Sequence, residues 1–169
     1  MLIRQETSSD FDAVYTTVQA AFASAQHSDG TEQDLVTALR SSAAFIPELS
    51  LVAAVDDKIV GHIMFTRASV SSQTILVLAP LSVLPACQQR GIGSALVQEG
   101  HRIAKELGYK YIAVLGSETY YPRFGYGPAA QLGIEVPAGI PAVNFMAMEL
   151  LPAAPRLCGA VQYAKEFVL

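Results

Sequence analysis

The first residues alternate apolar and polar, and IRQET reads as a strand near residues 2–6. Ser8, Ser9 and Asp10 then offer N-cap oxygens to a helix with Val14, Val18, Ala21 and Phe22 on one face. A polar loop, AQHSDG, separates it from a second helix over residues 31–43, which Thr31 caps and in which Leu35, Ala38 and Leu39 share a face. SLVAAV, the turn DDK and IVGHIMFTRASV have the pattern of an antiparallel hairpin. TILVLAPLSVL is almost wholly apolar and predicts a strand buried on both faces. Pro80 sits inside it, although proline gives no hydrogen to a ladder and belongs at an edge or a bulge. A local contradiction of this kind marks a functional or strained place.

After Pro85 the period changes. Ile92, Leu96, Ile103 and Leu107 make the inner stripe of a helix that Gly108 stops, with Gly100 allowing close approach. YKYIAVLG is the next strand, and SETYYPRFGYG is at most a short helix between Pro122 and Gly125. NFMAMEL and AVQYAKEF supply two more strands. The order is βααβββαβαββ, a mixed α/β layer structure.

At 169 residues, with 51% hydrophobic and 15% charged, the chain is core-rich and reads as one domain over residues 1–169. That composition excludes a disordered chain. Two cysteines form no disulfide framework, no apolar run approaches the roughly 18–20 residues that span a bilayer, and the polar start has no signal-peptide core. These features predict a soluble cytoplasmic protein with no membrane partner. Charge is uneven: residues 1–57 hold nine acids against two bases, residues 58–127 seven bases against three acids. A modestly basic middle suits a small anion better than a nucleic acid, and solvated helix faces would give the same balance. The three histidines and two cysteines have no metal-ligand spacing.

The candidate chemistry centres on the strand–turn–helix join LSVLPACQQRGIGSAL. Gly91 and Gly93 let backbone approach a ligand closely, and a helix beginning there aims unpaired N–H groups and partial positive charge at it, as pyrophosphate requires. No lysine follows the glycines, so the P-loop pattern fails. Leu96 stands where a dinucleotide fingerprint needs a small residue, and YKYIAVLG ends without an acid, so that pattern fails too.

Gln88-x-x-Gly91-x-Gly93, after an apolar strand ending Val83-x-Pro85, resembles the acetyl-CoA motif of the GNAT superfamily of N-acetyltransferases. The resemblance extends through the opening IRQET, the GHIMF strand, VLG…YYPRFGYGPA, FMAMEL and the closing VQY…F, in the order found in one branch of predicted bacterial acetyltransferases. It implies a GNAT-type acyltransferase fold: a mixed, mostly antiparallel central sheet with flanking helices and a splayed central strand pair. It implies acetyl-CoA as the acyl-donor co-substrate. The backbone of Leu81, Ser82 and Val83 would pair with the pantetheine arm, and the Val83 N–H would polarise the thioester carbonyl. Gln88 opens the motif, and the backbone N–H groups of Gln89, Arg90, Gly91, Ile92, Gly93 and Ser94 would hold the pyrophosphate. Pro80 then lies where a splaying strand stops pairing.

The resemblance further implies acetyl transfer to a primary amine of a small molecule or peptide, by direct attack. Tyr121, four residues before Gly125, would be the general acid, with Tyr120 one register step away. A phenol near pKa 10 keeps its proton at neutral pH and supplies it to a departing thiolate. The same tyrosine reads equally as core packing beside Tyr120, Phe124 and Tyr126. Glu118 and His62 are the candidates for the base, while His27 and His101 read as loop and helix-surface residues. Val114 stands where an asparagine is frequent in the superfamily. Asp29, Glu32 and Asp34 suit a cationic acceptor. A homodimer through the C-terminal strands is the association that the resemblance implies. A non-catalytic acyl-CoA-binding sensor would carry the same motif and fold.

Overall fold

The computed structural model describes residues 1–167, so the last two residues of the expected domain lie outside it. Strand β1 (Leu2–Gln5) leads to helix α1 (Phe11–Phe22), helix α2 (Glu32–Leu39) and strands β2 (Phe45–Val55), β3 (Lys58–Val70) and β4 (Gln73–Val83). Helix α3 (Ile92–Glu106) and strand β5 (Tyr111–Leu115) follow. Three short strands close the chain: β6 (Gly127–Pro128), β7 (Phe145–Glu149) and β8 (Val161–Gln162). The sheet order is β1-β2-β3-β4-β5-β7-β6, with β8 on β3, and among these strands each pairing is antiparallel except β4 with β5. This is the mixed, mostly antiparallel sheet with flanking helices that the resemblance implies.

The elements follow their patterns. Asp56 and Asp57 both take positive φ, as a two-residue hairpin turn matched to strand twist demands. Inward residues of α3 (Ile92, Leu96, Val97 and Ala104) pack on Ile63, Phe65, Leu76 and Leu78 of the sheet. Gly100 is required there, because a Cβ on it would overlap the Phe65 ring. Gly108 ends the helix at φ 86°, as expected, but Leu107 is 46% exposed and does not continue the stripe. Val14, Val18, Val36 and Leu39 cover Val52 and Met64 on the opposite face, and beyond them Ile134 and Leu157 cover β4, β5 and β7.

Three expectations change. Helix α2 stops at Leu39, where turns at Ser41 and Ser42 replace further helix, and its buried residues are Gln33, Val36 and Leu39. Leu35 and Ala38 line a cleft instead. The expected strand over 160–167 is paired only at Val161–Gln162. Pairing of β2 with β3 ends at Thr66, and β8 uses the remaining β3 edge at Ser69 and Val70. Strand β6 is too short to show a period. Among the described residues, no helix is long and apolar enough to cross a membrane.

Candidate functional site

Strands β4 and β5 are paired only at Leu76–Ile112 and Val77–Ala113. Past Val77 they part. On its other side β4 stays with β3 through a register shift that places Ala79 and Pro80 in a bulge. Pro80 thus stands where the strand has left its β5 neighbour, as its missing N–H permits. Leu84 N–H donates to Val60 O at 2.8 Å, which makes residues 84 and 60 a hydrogen-bonded pair. Alternation along an antiparallel ladder makes Ser82 and His62 the next such pair. The peptide groups of Leu81 and Val83 consequently turn away from β3 toward the parted edge. Those of Ser82 turn inward, and its side chain is buried. Leu81 and Val83 line the cleft and Ser82 does not, a correction to the expectation that all three present backbone there.

The turn that follows is a cradle of N–H groups. Gln89 and Gly91 take φ of 61° and 82°, while the side-chain amide of Gln88 donates to Val83 O at 3.1 Å and ties the turn to the end of β4. The first intrahelical bond of α3 is Ala95 N–H to Gly91 O, at 3.0 Å, which leaves Ile92, Gly93 and Ser94 with N–H groups at the positive end of a 15-residue helix. A Cβ on Gly93 would stand 2.7 Å from the Tyr120 hydroxyl, so that hydroxyl lies over the helix start. Gln88, Gln89, Gly91, Ile92, Gly93 and Ser94 all line the cleft. Arg90 does not; it borders a smaller hollow with Asp56 and Lys58.

Gly125, at φ 102°, closes a single helical turn over Tyr121–Phe124 and directs two tyrosines to the same cleft. The Tyr121 ring lies against Gly116, where a Cβ would overlap it, and meets Tyr120 and Tyr126 edge-on at 5.2 and 5.7 Å. Burial first, and then the neighbouring Tyr120, push its ionisation well above the usual phenol range. Tyr121 therefore holds its proton throughout the neutral range. His101 is buried rather than on the helix surface, because its Nε2 bonds the Tyr126 hydroxyl at 2.9 Å.

Opposite this, the cleft is lined by carboxylates. Asp29, Glu32 and Asp34 come from the α1–α2 loop and the start of α2, and Glu166 comes from the tail; Phe22, Tyr163 and Phe167 stand among them. Asp34 accepts from the Tyr15 hydroxyl at 2.9 Å, Asp29 from Thr31, and Glu166 from Ser42 at 3.0 Å. Glu32 Oε2 is enclosed and has no partner among the described residues. The cleft measures about 1510 Å³. Neither base candidate enters it. Glu118 is exposed, and its carboxylate accepts from Asn144 Nδ2 at 2.7 Å, while His62, on β3, is wholly buried. Sequence reasoning missed Glu166, which reaches the cleft only because the tail folds back through β8.

A parted parallel pair beside an N–H cradle, inside a mostly antiparallel sheet, defines an acyltransferase architecture. The protein-family comparison agrees: residues 11–126 match the Acetyltransferase (GNAT) family, and the chain belongs to it. It is 41% identical over 115 residues to an uncharacterized N-acetyltransferase YjhQ of Escherichia coli; the match covers 65% of this chain and 64% of the relative, just under two thirds of its length. Among solved structures, a GNAT family acetyltransferase from Brucella melitensis in complex with acetyl-CoA is similar at TM-score 0.81 and 31% identity, covering 98% of this chain and 97% of that one. YhbS from Escherichia coli in complex with CoA is similar at TM-score 0.85 and 28% identity, covering 98% and 91%.

Proposed function

We propose that this protein is an N-acetyltransferase that takes acetyl-CoA as donor and a positively charged primary amine as acceptor. The observation that carries the reading is one continuous cleft. It runs from the N–H cradle, along the open edge of β4, past two tyrosines, to a wall of carboxylates. Backbone N–H groups of Gln89 and of residues 91–94 hold the pyrophosphate, and the outward peptide groups of Leu81 and Val83 complete a ladder with the pantetheine amides. Acetyl-CoA supplies the acetyl thioester.

The Val83 N–H is aimed at the edge where the thioester carbonyl lies, and a fixed donor of this kind stabilises developing negative charge. Tyr121 O–H gives its proton to the departing sulfur, which its burial keeps ready. The acceptor arrives as an ammonium, attracted by Asp29, Glu32, Asp34 and Glu166, and Glu32, with its unpartnered oxygen, takes one proton; the freed amine nitrogen bonds the acetyl carbon as the C–S bond breaks, and its second proton passes to the Tyr121 oxygen that has protonated the sulfur. Glu118 has no part in this reading, since Asn144 holds its carboxylate outside the cleft. Titration calorimetry with acetyl-CoA tests it. The native protein binds, and Gly91→Glu, which sets a negative side chain on a backbone at φ 82°, weakens binding by at least about tenfold. A native protein that does not bind acetyl-CoA overturns the proposal.

A further inference from the structure

Behind the cleft, a polar cluster lies in the interior where β1, α2, β2 and β3 meet. Glu6 accepts from Arg40 Nε at 3.0 Å, from Arg40 Nη2 at 2.9 Å and from Ser50 Oγ at 2.6 Å. Ser50 Oγ stands 3.1 Å from His62 Nε2. These contacts assign the protons. Glu6, held by two guanidinium N–H groups, is a carboxylate with no hydrogen to give, so the Ser50 hydroxyl must donate to it. Ser50 then offers His62 only a lone pair, and Nε2 must carry the ring hydrogen. Burial pushes the His62 pKa down to about 4, overcoming the pull of Glu6 and helped by Arg40, so the ring is neutral. Its Nδ1 is a bare lone pair.

That lone pair has no partner among the described residues, although His62 is 0% exposed. Directly across the ladder stands Ser82, 2% exposed, and its Oγ also has no partner among them. Hydrogen-bonded antiparallel pairs stand about 5.5 Å apart at Cα. The two atoms do not bond each other directly, and interior waters occur where two to four such polar groups converge. Ser82 also sits between the two residues whose peptide groups face the open edge of β4.

We propose that His62 Nδ1 and Ser82 Oγ together bind one interior water, and that this site holds Leu81–Val83 in place to receive acetyl-CoA. The water donates one hydrogen to Nδ1 and bonds the Ser82 hydroxyl. His62 is a positioning residue, acting through Ser82 on the neighbouring Val83 N–H. The effect on acetyl-CoA rests on the function proposed above; the water site does not.

The test combines Ser82→Ala, His62→Gln and the double variant. Glutamine sets an amide N–H near the Nε2 position, keeping the bond to Ser50, and removes the Nδ1 acceptor. Each single change weakens acetyl-CoA binding by about five- to tenfold in calorimetry, and the double variant loses no more than the weaker single, because either change empties the same site. Independent, multiplying losses overturn the proposal, as does unchanged affinity in Ser82→Ala. Nitrogen-15 NMR of the histidine ring reads the water without reference to the cofactor. The His62 Nδ1 resonance of a hydrogen-bonded acceptor shifts in Ser82→Ala, and an identical resonance in both proteins refutes the site. A native protein that ignores acetyl-CoA removes the positioning role, while the ring measurement still decides the water. Should His62→Gln fail to fold, Ser82→Ala carries both measurements.

Discussion

Tyr120 and Tyr121 are adjacent in sequence and share a cleft, yet their surroundings assign them different work. The Tyr120 hydroxyl lies over Gly93 at the start of α3, and Arg123 stacks on its ring with its guanidinium carbon 4.6 Å from the centroid. Tyr121 is enclosed between Gly116, Tyr120 and Tyr126. Tyr121→Phe is therefore expected to lower kcat by about 100-fold or more while acetyl-CoA affinity stays within about threefold. Tyr120→Phe is expected to change affinity for the donor and leave kcat near the native value. Steady-state kinetics with calorimetry separate these outcomes, and the reverse pattern would exchange the two roles. On the acceptor side, Glu32→Gln keeps the shape of the wall and removes its unpartnered charge. It should lower kcat/KM for the amine by about tenfold or more, through kcat as well as KM, with acetyl-CoA binding unaltered; an unchanged kcat/KM would remove Glu32 from the acceptor site.

Helix α3 is the element on which cradle and core both depend, and its packing is close. Gly100→Ala drives a methyl into the Phe65 ring and should destabilise the fold by about 1–3 kcal/mol, read as a lower midpoint in urea without a change of slope. A midpoint equal to the native one would mean that α3 shifts freely on the sheet. Helix α3 was legible in the sequence, because its stripe, Gly100 and Gly108 are local signals. So were the Asp56–Asp57 hairpin, the Gly91–Gly93 turn and the oddity of Pro80. What escaped depends on partners distant along the chain. His101 reads as a surface residue until Tyr126 folds onto it, and His62 reads as a candidate base until Glu6, Arg40 and Ser50 converge behind it. Ser82 reads as a cofactor contact because a motif gives a residue's place but not which edge its peptide group faces. The wrong face of α2 has a similar cause: Leu35 is apolar for the cleft rather than for the core.

Stability at the scale of the whole molecule should follow the two buried histidines. Burial holds both His62 and His101 near pKa 4, against 6.5 for a free imidazole. Below pH 6.5 the unfolded chain binds protons that the folded protein refuses. Stability is thus full above about pH 6.5, falls as pH drops toward 4, and from these groups loses nothing more below that. His62 alone accounts for a loss on the order of 3 kcal/mol, measurable as unfolding free energy across that range. A flat profile would mean that one of these rings opens to water without unfolding the protein. The parted strands have a consequence of another kind. Among the described residues, only the Leu76–Ile112 and Val77–Ala113 pairs join β1–β4 to β5–β7 within the sheet, so the two parts can open as separate cooperative units. Amides of β5 and β7 should then exchange with deuterium through a smaller opening than those of β2 and β3. Acetyl-CoA, laid into the gap as the missing strand, should bring the two rates together.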